Sequence, residues 1–243
     1  MLRNSRYLSS ILRVKPTQII HVGADKGQDR PEYIKIGCKN IVWCEADPQN
    51  VAYLEANFPQ DSVISGIIWK EDIAKLDFYQ FDNSAQNSAV APLPTLDAGR
   101  KEVISVPSHK LDTVIDFECI PKTCLLVIDV QGAELEVLAG AKNVLARTQF
   151  VVIEIALHSQ GYSETPTQQS INESLGNFGF KPSVSRVSHD NSYKDQLFVK
   201  SNRMRLIEIA LTDHIFNFLM KIRHGIKFGH IPIYHYYCRR CNA

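Results

Sequence analysis

The sequence has no excess of charge of either sign. It contains 27 lysines and arginines against 26 aspartates and glutamates in 243 residues. A chain with balanced charges creates no strong global field that would draw it to nucleic acid or to a membrane surface. We therefore expect no nucleic-acid partner.

Long apolar runs are also missing. No stretch reaches the roughly 18 consecutive apolar residues of a membrane-spanning helix, and residues 1–15 lack the continuous apolar core of a secretory signal. The six cysteines are too few and too scattered for a disulfide framework in a chain of this size. These absences predict a cytoplasmic protein with no transmembrane segment and with free thiols.

What the sequence does contain is an alternation of short apolar runs with segments of helical spacing. This pattern predicts an α/β fold, with a mostly parallel central sheet and helices on both faces, over residues 17–201. The predicted strands are 18–22, 41–45, 62–68, 76–81, 103–106, 125–130, 150–156, 180–187 and 194–199, and the predicted helices are 28–37, 48–57, 111–117, 132–146 and 168–177. Residues 83–99 have no periodicity and predict a long loop, a length typical of lids and binding loops.

Three polar features follow predicted strands and form the candidate site. Gly23 and Gly27 bound a loop after the first strand, Glu45 ends the second, and Asp129 lies near the end of the strongest strand. Ligands of open α/β sheets bind beyond the carboxyl ends of the strands. Glu45 is therefore placed to accept the hydroxyls of a ribose.

The glycine loop itself separates two kinds of cofactor. A dinucleotide site needs the spacing G-x-G-x-x-G, whereas this loop reads G-x-x-x-G with Asp25 at its centre. A carboxylate there would repel a pyrophosphate but suits a ligand with an ammonium or sulfonium centre. The loop therefore favours S-adenosylmethionine over a nicotinamide cofactor.

The chain resembles the FkbM family of methyltransferases over about residues 17–200. The stretches that carry the resemblance are 21–28 (HVGADKGQ), 45–48 (EADP), 106–112 (VPSHKLD), 125–141 (LLVIDVQGAELEVLAGA), 152–155 (VIEI) and 179–180 (GF). The resemblance implies a Rossmann-like methyltransferase fold, an S-adenosylmethionine cofactor and transfer to an oxygen.

The resemblance also implies a set of cofactor-binding residues. Gly23, Asp25 and Gly27 would hold the methionine part, and Glu45 the ribose. The full expected set is His21, Gly23, Ala24, Asp25, Gly27, Glu45, Ala46, Gly66 and Asp129. The chain departs from the family at His21, where an acid is frequent, and at Asp25, where asparagine is frequent.

Methyl transfer to a hydroxyl requires an acceptor oxygen held in line and a group that removes its proton. The candidate catalytic residues are Asp129, Glu154 and His158. Asp129 is the best-placed carboxylate, Glu154 lies on the neighbouring strand, and an imidazole titrates near neutral pH. Each also has a structural alternative: Asp129 as a cofactor ligand or helix cap, Glu154 as an orienting group, His158 as pocket lining.

The tail, residues 202–243, has its own pattern. Its first part predicts an amphipathic helix, which could pack on the core, form a homo-oligomer interface or, less favourably, lie on a membrane. The apolar face of this helix consists of Ile207, Leu211, Ile215, Phe218, Leu219 and Ile222. His230, His235, Cys238 and Cys241 could form a zinc clip, but their spacing is not that of a standard finger, so we predict no metal.

These features predict an S-adenosylmethionine-dependent O-methyltransferase that acts on a hydroxyl of a sugar, a glycan or a related small metabolite. Two alternatives stay open from the residues. One is a non-catalytic module that binds S-adenosylmethionine, and the other is a nicotinamide-dependent oxidoreductase.

Overall fold

The computed structural model describes residues 16–201 except 95, 97, 98, 159, 160 and 189. The sequence predicts residues 1–16 as a short helical lead-in that precedes the domain, and residues 1–15 of it lie outside the described residues. The tail after residue 201, with its predicted amphipathic helix and histidine–cysteine group, lies outside them as well. Within the described part, no helix is long and apolar enough to cross a membrane.

The central sheet has seven strands in the order β3-β2-β1-β7-β8-β10-β9. The neighbours from β3 to β8 are parallel, and β10 is antiparallel to both β8 and β9. The strands of this sheet are β1 Gln18–Val22, β2 Asn40–Glu45, β3 Ser62–Ser65, β7 Cys124–Ile128, β8 Phe150–Ala156, β9 Phe180–Val187 and β10 Tyr193–Lys200. The order reverses at β1, so a crevice opens between the carboxyl ends of β1 and β7.

Helices cover both faces of this sheet, as predicted. They are α1 Arg30–Lys35, α2 Pro48–Asn57, α3 Leu111–Val114, α4 Glu134–Ala139, α5 Lys142–Arg147 and α6 Gln168–Gly176. One buried cluster joins the sheet to α4, α5 and α6 through Val137, Leu145 and Leu175. The other joins it to α1 and α2 through Tyr33 and Leu54. The fold class predicted from the sequence is therefore confirmed.

Helix α2 begins where the sequence indicated. The Asp47 side chain accepts a hydrogen bond of 2.8 Å from the backbone N–H of Gln49, and Pro48 occupies the first turn. Proline suits this position because its fixed φ is helical and its missing N–H would have had no partner there. This cap sets α2 directly after Glu45.

A second sheet was not predicted. It has three strands in the order β4-β6-β5, namely β4 Ile67–Ile68, β5 Ile73–Phe81 and β6 Arg100–His109. The predicted strand 62–68 is split at Gly66, whose φ is +133°. A Cβ on Gly66 would lie 2.9 Å from the carbonyl oxygen of Pro107 in β6, so the glycine lets the chain cross from one sheet to the other.

The predicted helix 132–146 is wrong in its continuity. The structure has two short helices, α4 and α5, that meet at Gly140 and Ala141. A Cβ on Gly140 would lie 2.0 Å from the carbonyl oxygen of Trp69. The chain bends at Gly140 because its backbone packs against the connection between β4 and β5. The apolar residues keep a helical spacing on both sides of this bend, so the sequence pattern does not reveal it.

Two further boundaries differ from the prediction. The segment 111–117 contains α3 and then a separate 3-10 turn at Phe117–Cys119. The segment predicted as the loop 83–99 begins with a 3-10 turn at Ser84–Gln86, and its far end leads into the ten-residue strand β6. Each 3-10 turn has a local cap: the Asn83 side chain accepts from the Ala85 N–H, and the Asp116 side chain accepts from the Glu118 N–H.

Candidate active site

A cavity of about 910 Å³ opens at the carboxyl ends of β1, β2, β7 and β8. Its wall includes ten of the eleven residues predicted for the site. These are His21, Gly23, Ala24, Asp25, Glu45, Ala46, Gly66, Asp129, Glu154 and His158. The exception is Gly27, which is absent from this wall.

Gly23 and Gly27 have different tasks. Gly23 has a φ of +79°, and a Cβ there would lie 1.8 Å from the carbonyl oxygen of Asp129. Gly27 has a φ of +67°, and a Cβ there would press on Phe58 and Leu54 of the α2 region. The first glycine brings the β1 and β7 loops together at the cavity, whereas the second lets the loop pack against α2.

We expect Gly23→Ala to lower the free energy of unfolding by more than about 2 kcal/mol, because it adds a backbone clash to a left-handed backbone conformation. The matched control is Gly176→Ala at the end of α6, where a Cβ would meet no atom within 4 Å. That control should leave the free energy of unfolding unchanged or raise it by up to about 1 kcal/mol, because alanine is the better helix former. Urea unfolding followed by circular dichroism measures both, and equal effects would contradict the packing role of Gly23.

Glu45 is buried and held by three backbone N–H groups. Its Oε2 accepts from Asp25 at 2.7 Å, and its Oε1 accepts from Ala46 at 2.9 Å and from Asp47 at 2.8 Å. Burial raises the pKa of Glu45 to about 8, and the N–H groups of Asp47 and Asp25 act in the opposite direction. The carboxyl group is thus fixed in orientation at the cavity wall.

Asp25 is the centre of a polar network that ties three segments together. Its carboxylate accepts hydrogen bonds from Gln28, from Asn50 of α2 at 2.9 Å and from Ser84 at 2.7 Å. Its φ of +46° is left-handed, which is uncommon outside glycine. Asp25 therefore joins the glycine loop to α2 and to the segment that follows β5.

The segment after β5 crosses the cavity and is attached at several points. Asn87 donates to the Asp47 carboxylate at 2.9 Å, Ser88 donates to the backbone oxygen of Gln131 at 2.8 Å, and Tyr162 donates to the backbone oxygen of Gln86 at 2.6 Å. The long segment thus contacts both the start of α2 and the loop after β7. The sequence predicted a binding loop here but not these anchors.

His21 lies on the cavity floor with 3% of its surface exposed. Its Nδ1 is 2.9 Å from the Tyr33 hydroxyl, and its ring lies against Tyr33 and Trp43. Burial lowers its pKa, so the imidazole is neutral at neutral pH. Its buried Nε2 has no hydrogen-bond partner within the described part of the chain.

Three carboxyl groups form a row across neighbouring strands at the other end of the cavity. Asp129 follows β7, Glu154 lies on β8, and Asp195 lies on β10 directly opposite Glu154. We call Asp129, Glu154 and Asp195 the carboxyl row. Gln131 Nε2 bridges the first two, donating to Asp129 Oδ1 and to Glu154 Oε2 at 2.8 Å each.

Glu154 holds its proton more tightly than an ordinary glutamate. Burial and then the neighbouring Asp129 carboxylate raise its pKa well above the usual range. Like charges close together in a poorly solvated site cannot both ionise easily. Glu154 is therefore the carboxyl group of this pair that stays protonated at neutral pH.

His158 lies in a bend after β8, lines the cavity and is exposed. Within the described residues, no group of three or more histidine, cysteine, aspartate or glutamate side chains is arranged to hold a metal ion. The four described cysteines, Cys38, Cys44, Cys119 and Cys124, are free.

Sequence reasoning missed Gln131, Asp195 and the anchors of the loop. Asp195 had a recognisable signature, because it is an acid in a predicted strand that continues with the apolar residues Leu197, Phe198 and Val199. Gln131 belongs to the 125–141 motif that carried the resemblance. Its contacts with Asp129 and Glu154, made from a backbone with a φ of +53°, are visible only in the structure.

Residues 21–182, well over half of the chain, match the Methyltransferase FkbM domain. The fold and the site define the class, that of Rossmann-like methyltransferases. Within that class the chain belongs to the FkbM methyltransferase family. The prediction of an S-adenosylmethionine-dependent methyltransferase is thus confirmed at the level of the family.

Individual relatives are distant. The 2-O-methyltransferase NoeI of Sinorhizobium fredii (strain NBRC 101917 / NGR234) is 23% identical over 167 residues, which is 63% of this chain and 69% of that protein. Among solved structures, a TehB-like SAM-dependent methyltransferase from Corynebacterium glutamicum is 13% identical with a TM-score of 0.44, covering 81% of this chain and 86% of that one. A precorrin-6y C5,15-methyltransferase from Geobacter metallireducens is also 13% identical with a TM-score of 0.44, covering 81% and 87%.

Proposed function

We propose that this methyltransferase transfers the methyl group of S-adenosylmethionine to a hydroxyl oxygen of a sugar, a glycan or a related small metabolite. The observation that carries the proposal is the pair Asp129 and Glu154, bridged by Gln131 at one end of the cavity. A hydroxyl acceptor has a proton to lose during transfer, and this pair contains a group able to accept it.

The opposite end of the cavity fits the cofactor. Glu45 is a fixed acceptor for ribose hydroxyls, and Ile67 and Phe78 line the wall beside it as apolar surfaces for a base. The unpartnered Nε2 of His21 is a further polar group that a ligand would satisfy. Gly23 and Ala24 line the same cavity wall.

When bound, S-adenosylmethionine supplies an electrophilic methyl carbon on a sulfonium centre. The protein's part is then to orient the acceptor and to manage one proton. Asp129 accepts the hydroxyl proton, while Gln131 holds its carboxylate in place through Oδ1. Glu154, which keeps its own proton at neutral pH, orients Gln131 from the other side.

We call the end of the cavity around the carboxyl row the acceptor end. The side chains that line it support an acceptor that is neutral and rich in hydroxyl groups. Four hydroxyl-bearing side chains lie there beside the carboxyl groups, namely Tyr162, Ser188, Ser192 and Tyr193. Such groups both donate and accept hydrogen bonds, as sugar hydroxyls do. NoeI, the similar protein from Sinorhizobium fredii, is named for transfer to an oxygen.

The proposal is tested with a panel of methyl hexosides and matching amino sugars. The purified protein is incubated with S-adenosylmethionine and each compound, and formation of S-adenosylhomocysteine and of the methylated product is followed by mass spectrometry. We expect a product with an O-methyl group, and NMR assigns its position.

Three results would contradict the proposal. Binding of S-adenosylmethionine with no turnover on any acceptor would favour the non-catalytic module. Methylation only at nitrogen would move the acceptor to another class. In calorimetry, binding of NAD with none of S-adenosylmethionine would favour an oxidoreductase.

A further inference from the structure

Asp195 is a buried acid that the roles assigned so far do not use. It lies on β10 with 7% of its surface exposed, and it lines the cavity. Its Oδ1 has no hydrogen-bond partner within the described part of the chain. A buried carboxyl oxygen without a donor costs free energy unless something else satisfies it.

The position of Asp195 relative to the other acids is set by strand register. Asp195 is directly opposite Glu154, and Ile128, the residue before Asp129, pairs with Ile153, the residue before Glu154. Neighbouring strands are about 4.8 Å apart, so side chains at the same level on one face lie side by side. Asp195 is therefore next to the pair that we propose accepts the proton.

The three acids differ in what satisfies them. Gln131 donates to Asp129 and to Glu154, whereas Asp195 Oδ1 receives no such donor. Burial, and then the charge of Asp129, raise the pKa of Asp195 to about 7. Keeping an acid here without a protein donor costs stability, which points to a donor that arrives with the acceptor.

The residue that pairs with Asp195 on β9 indicates which kind of hydrogen-bond donor the acceptor can offer. Arg186 of β9 is directly opposite Asp195 and lines the same cavity. Of the described residues that form the cavity wall, no other is a lysine or arginine. The positive charge of Arg186 repels an ammonium group but not a neutral hydroxyl.

We propose that Asp195 Oδ1 accepts a hydrogen bond from a second hydroxyl of the acceptor, adjacent to the one that is methylated. The acceptor is therefore a vicinal diol, such as two neighbouring hydroxyls of a sugar ring. One hydroxyl meets Asp129 and reacts, while its neighbour meets Asp195 and fixes which position reacts. This inference rests on the proposed transfer to a hydroxyl.

The test combines a change in the acceptor with a change in the protein. The methyl hexoside methylated in the panel is compared with its monodeoxy analogue, which lacks the hydroxyl next to the methylated position. For the wild type, we expect kcat/KM to fall about tenfold to hundredfold with the analogue, because the buried Asp195 carboxyl group is left without its hydrogen-bond donor.

The variants carry the decisive comparison. Asp195→Ala should lose about the same factor on the full hexoside, mainly through KM, and should lose nothing further on the deoxy analogue. Asp195→Asn keeps an acceptor oxygen and should keep part of the discrimination. Asp77→Ala, at an exposed position of β5 away from the cavity wall, is the matched control and should behave as wild type.

The outcomes separate this inference from the proposed function. If the deoxy analogue is methylated as fast as the full hexoside, the acceptor need not be a vicinal diol. The same follows if Asp195→Ala lowers kcat/KM on the deoxy analogue by a further full factor. Either result would leave the proposed transfer to a hydroxyl intact. Failure to methylate any hexoside would overturn both. Thermal melting adds an independent check: both Asp195 variants should melt no lower than wild type, and lower melting of both would assign Asp195 a structural role instead.

Discussion

Replacing Asp129 with asparagine should lower kcat by about 10²- to 10⁴-fold, the range expected when a positioned proton acceptor is removed. Asparagine has nearly the same shape and keeps an oxygen for the Gln131 hydrogen bond, but its amide is a very poor base. The affinity for S-adenosylmethionine should change much less than kcat. Initial rates of S-adenosylhomocysteine formation, together with calorimetry of cofactor binding, separate the two effects.

The control for Asp129→Asn is Asp77→Asn, the same chemical change at an exposed position of β5. It should leave the rate unchanged. A full rate in Asp129→Asn would move the base elsewhere in the cavity, with His158 as the next candidate. A loss of cofactor binding as large as the loss of rate would instead make Asp129 a cofactor ligand.

Replacing Glu45 with glutamine should weaken S-adenosylmethionine binding by about 10- to 100-fold. Both Glu45 oxygens accept backbone N–H groups, from Asp25 on one side and from Ala46 and Asp47 on the other. The NH₂ of a glutamine would face one of these donors and leave it unsatisfied, which costs about 1–3 kcal/mol at a buried site. The glycine loop at Asp25 and the side chain at position 45, which we propose binds the ribose, would then shift together.

Calorimetry measures the cofactor affinity of Glu45→Gln, and urea unfolding measures its stability. The matched control is Glu55→Gln, at an exposed position of α2 only ten residues away. It should bind the cofactor as wild type does and unfold at the same urea concentration. Unchanged cofactor affinity in Glu45→Gln would show that the ribose binds elsewhere.

The parallel sheet and its crevice could be predicted because they follow from patterns of neighbouring residues in the sequence. Continuous apolar runs such as 125–128 occur where a strand is buried on both faces. The cap at Asp47 and Pro48 is a local device, so it too was predictable. Glu45 could be predicted because an acid at the end of a buried strand needs a polar role.

The second sheet and the break in the 132–146 helix could not be predicted in the same way. Both depend on close backbone contacts between distant segments, namely Gly66 against Pro107 and Gly140 against Trp69. A glycine inside a periodic pattern has many explanations. Which of them applies is settled only by the segment that packs against it.

The glycine loop illustrates the same division within one motif. Its residues could be read as a cofactor loop, yet the structure separates Gly23, which approaches Asp129, from Gly27, which packs on α2. Asp25 lines the cavity, so its predicted contact with a charged ligand stays a prediction. Only the structure shows that its carboxylate also accepts hydrogen bonds from Gln28, Asn50 and Ser84.

The sequence by itself was enough to predict the family, the parallel sheet and the acids Glu45, Asp129 and Glu154 as candidate site residues. Strand ends, helix caps and motifs consist of residues that are neighbours in the sequence. The carboxyl row needed the folded chain. Asp195 is 66 residues after Asp129 along the sequence, and it joins Glu154 only because β10 inserts antiparallel between β8 and β9. Strand register is a long-range property, since it depends on which strands pair, and here register determines which carboxyl groups share the cavity.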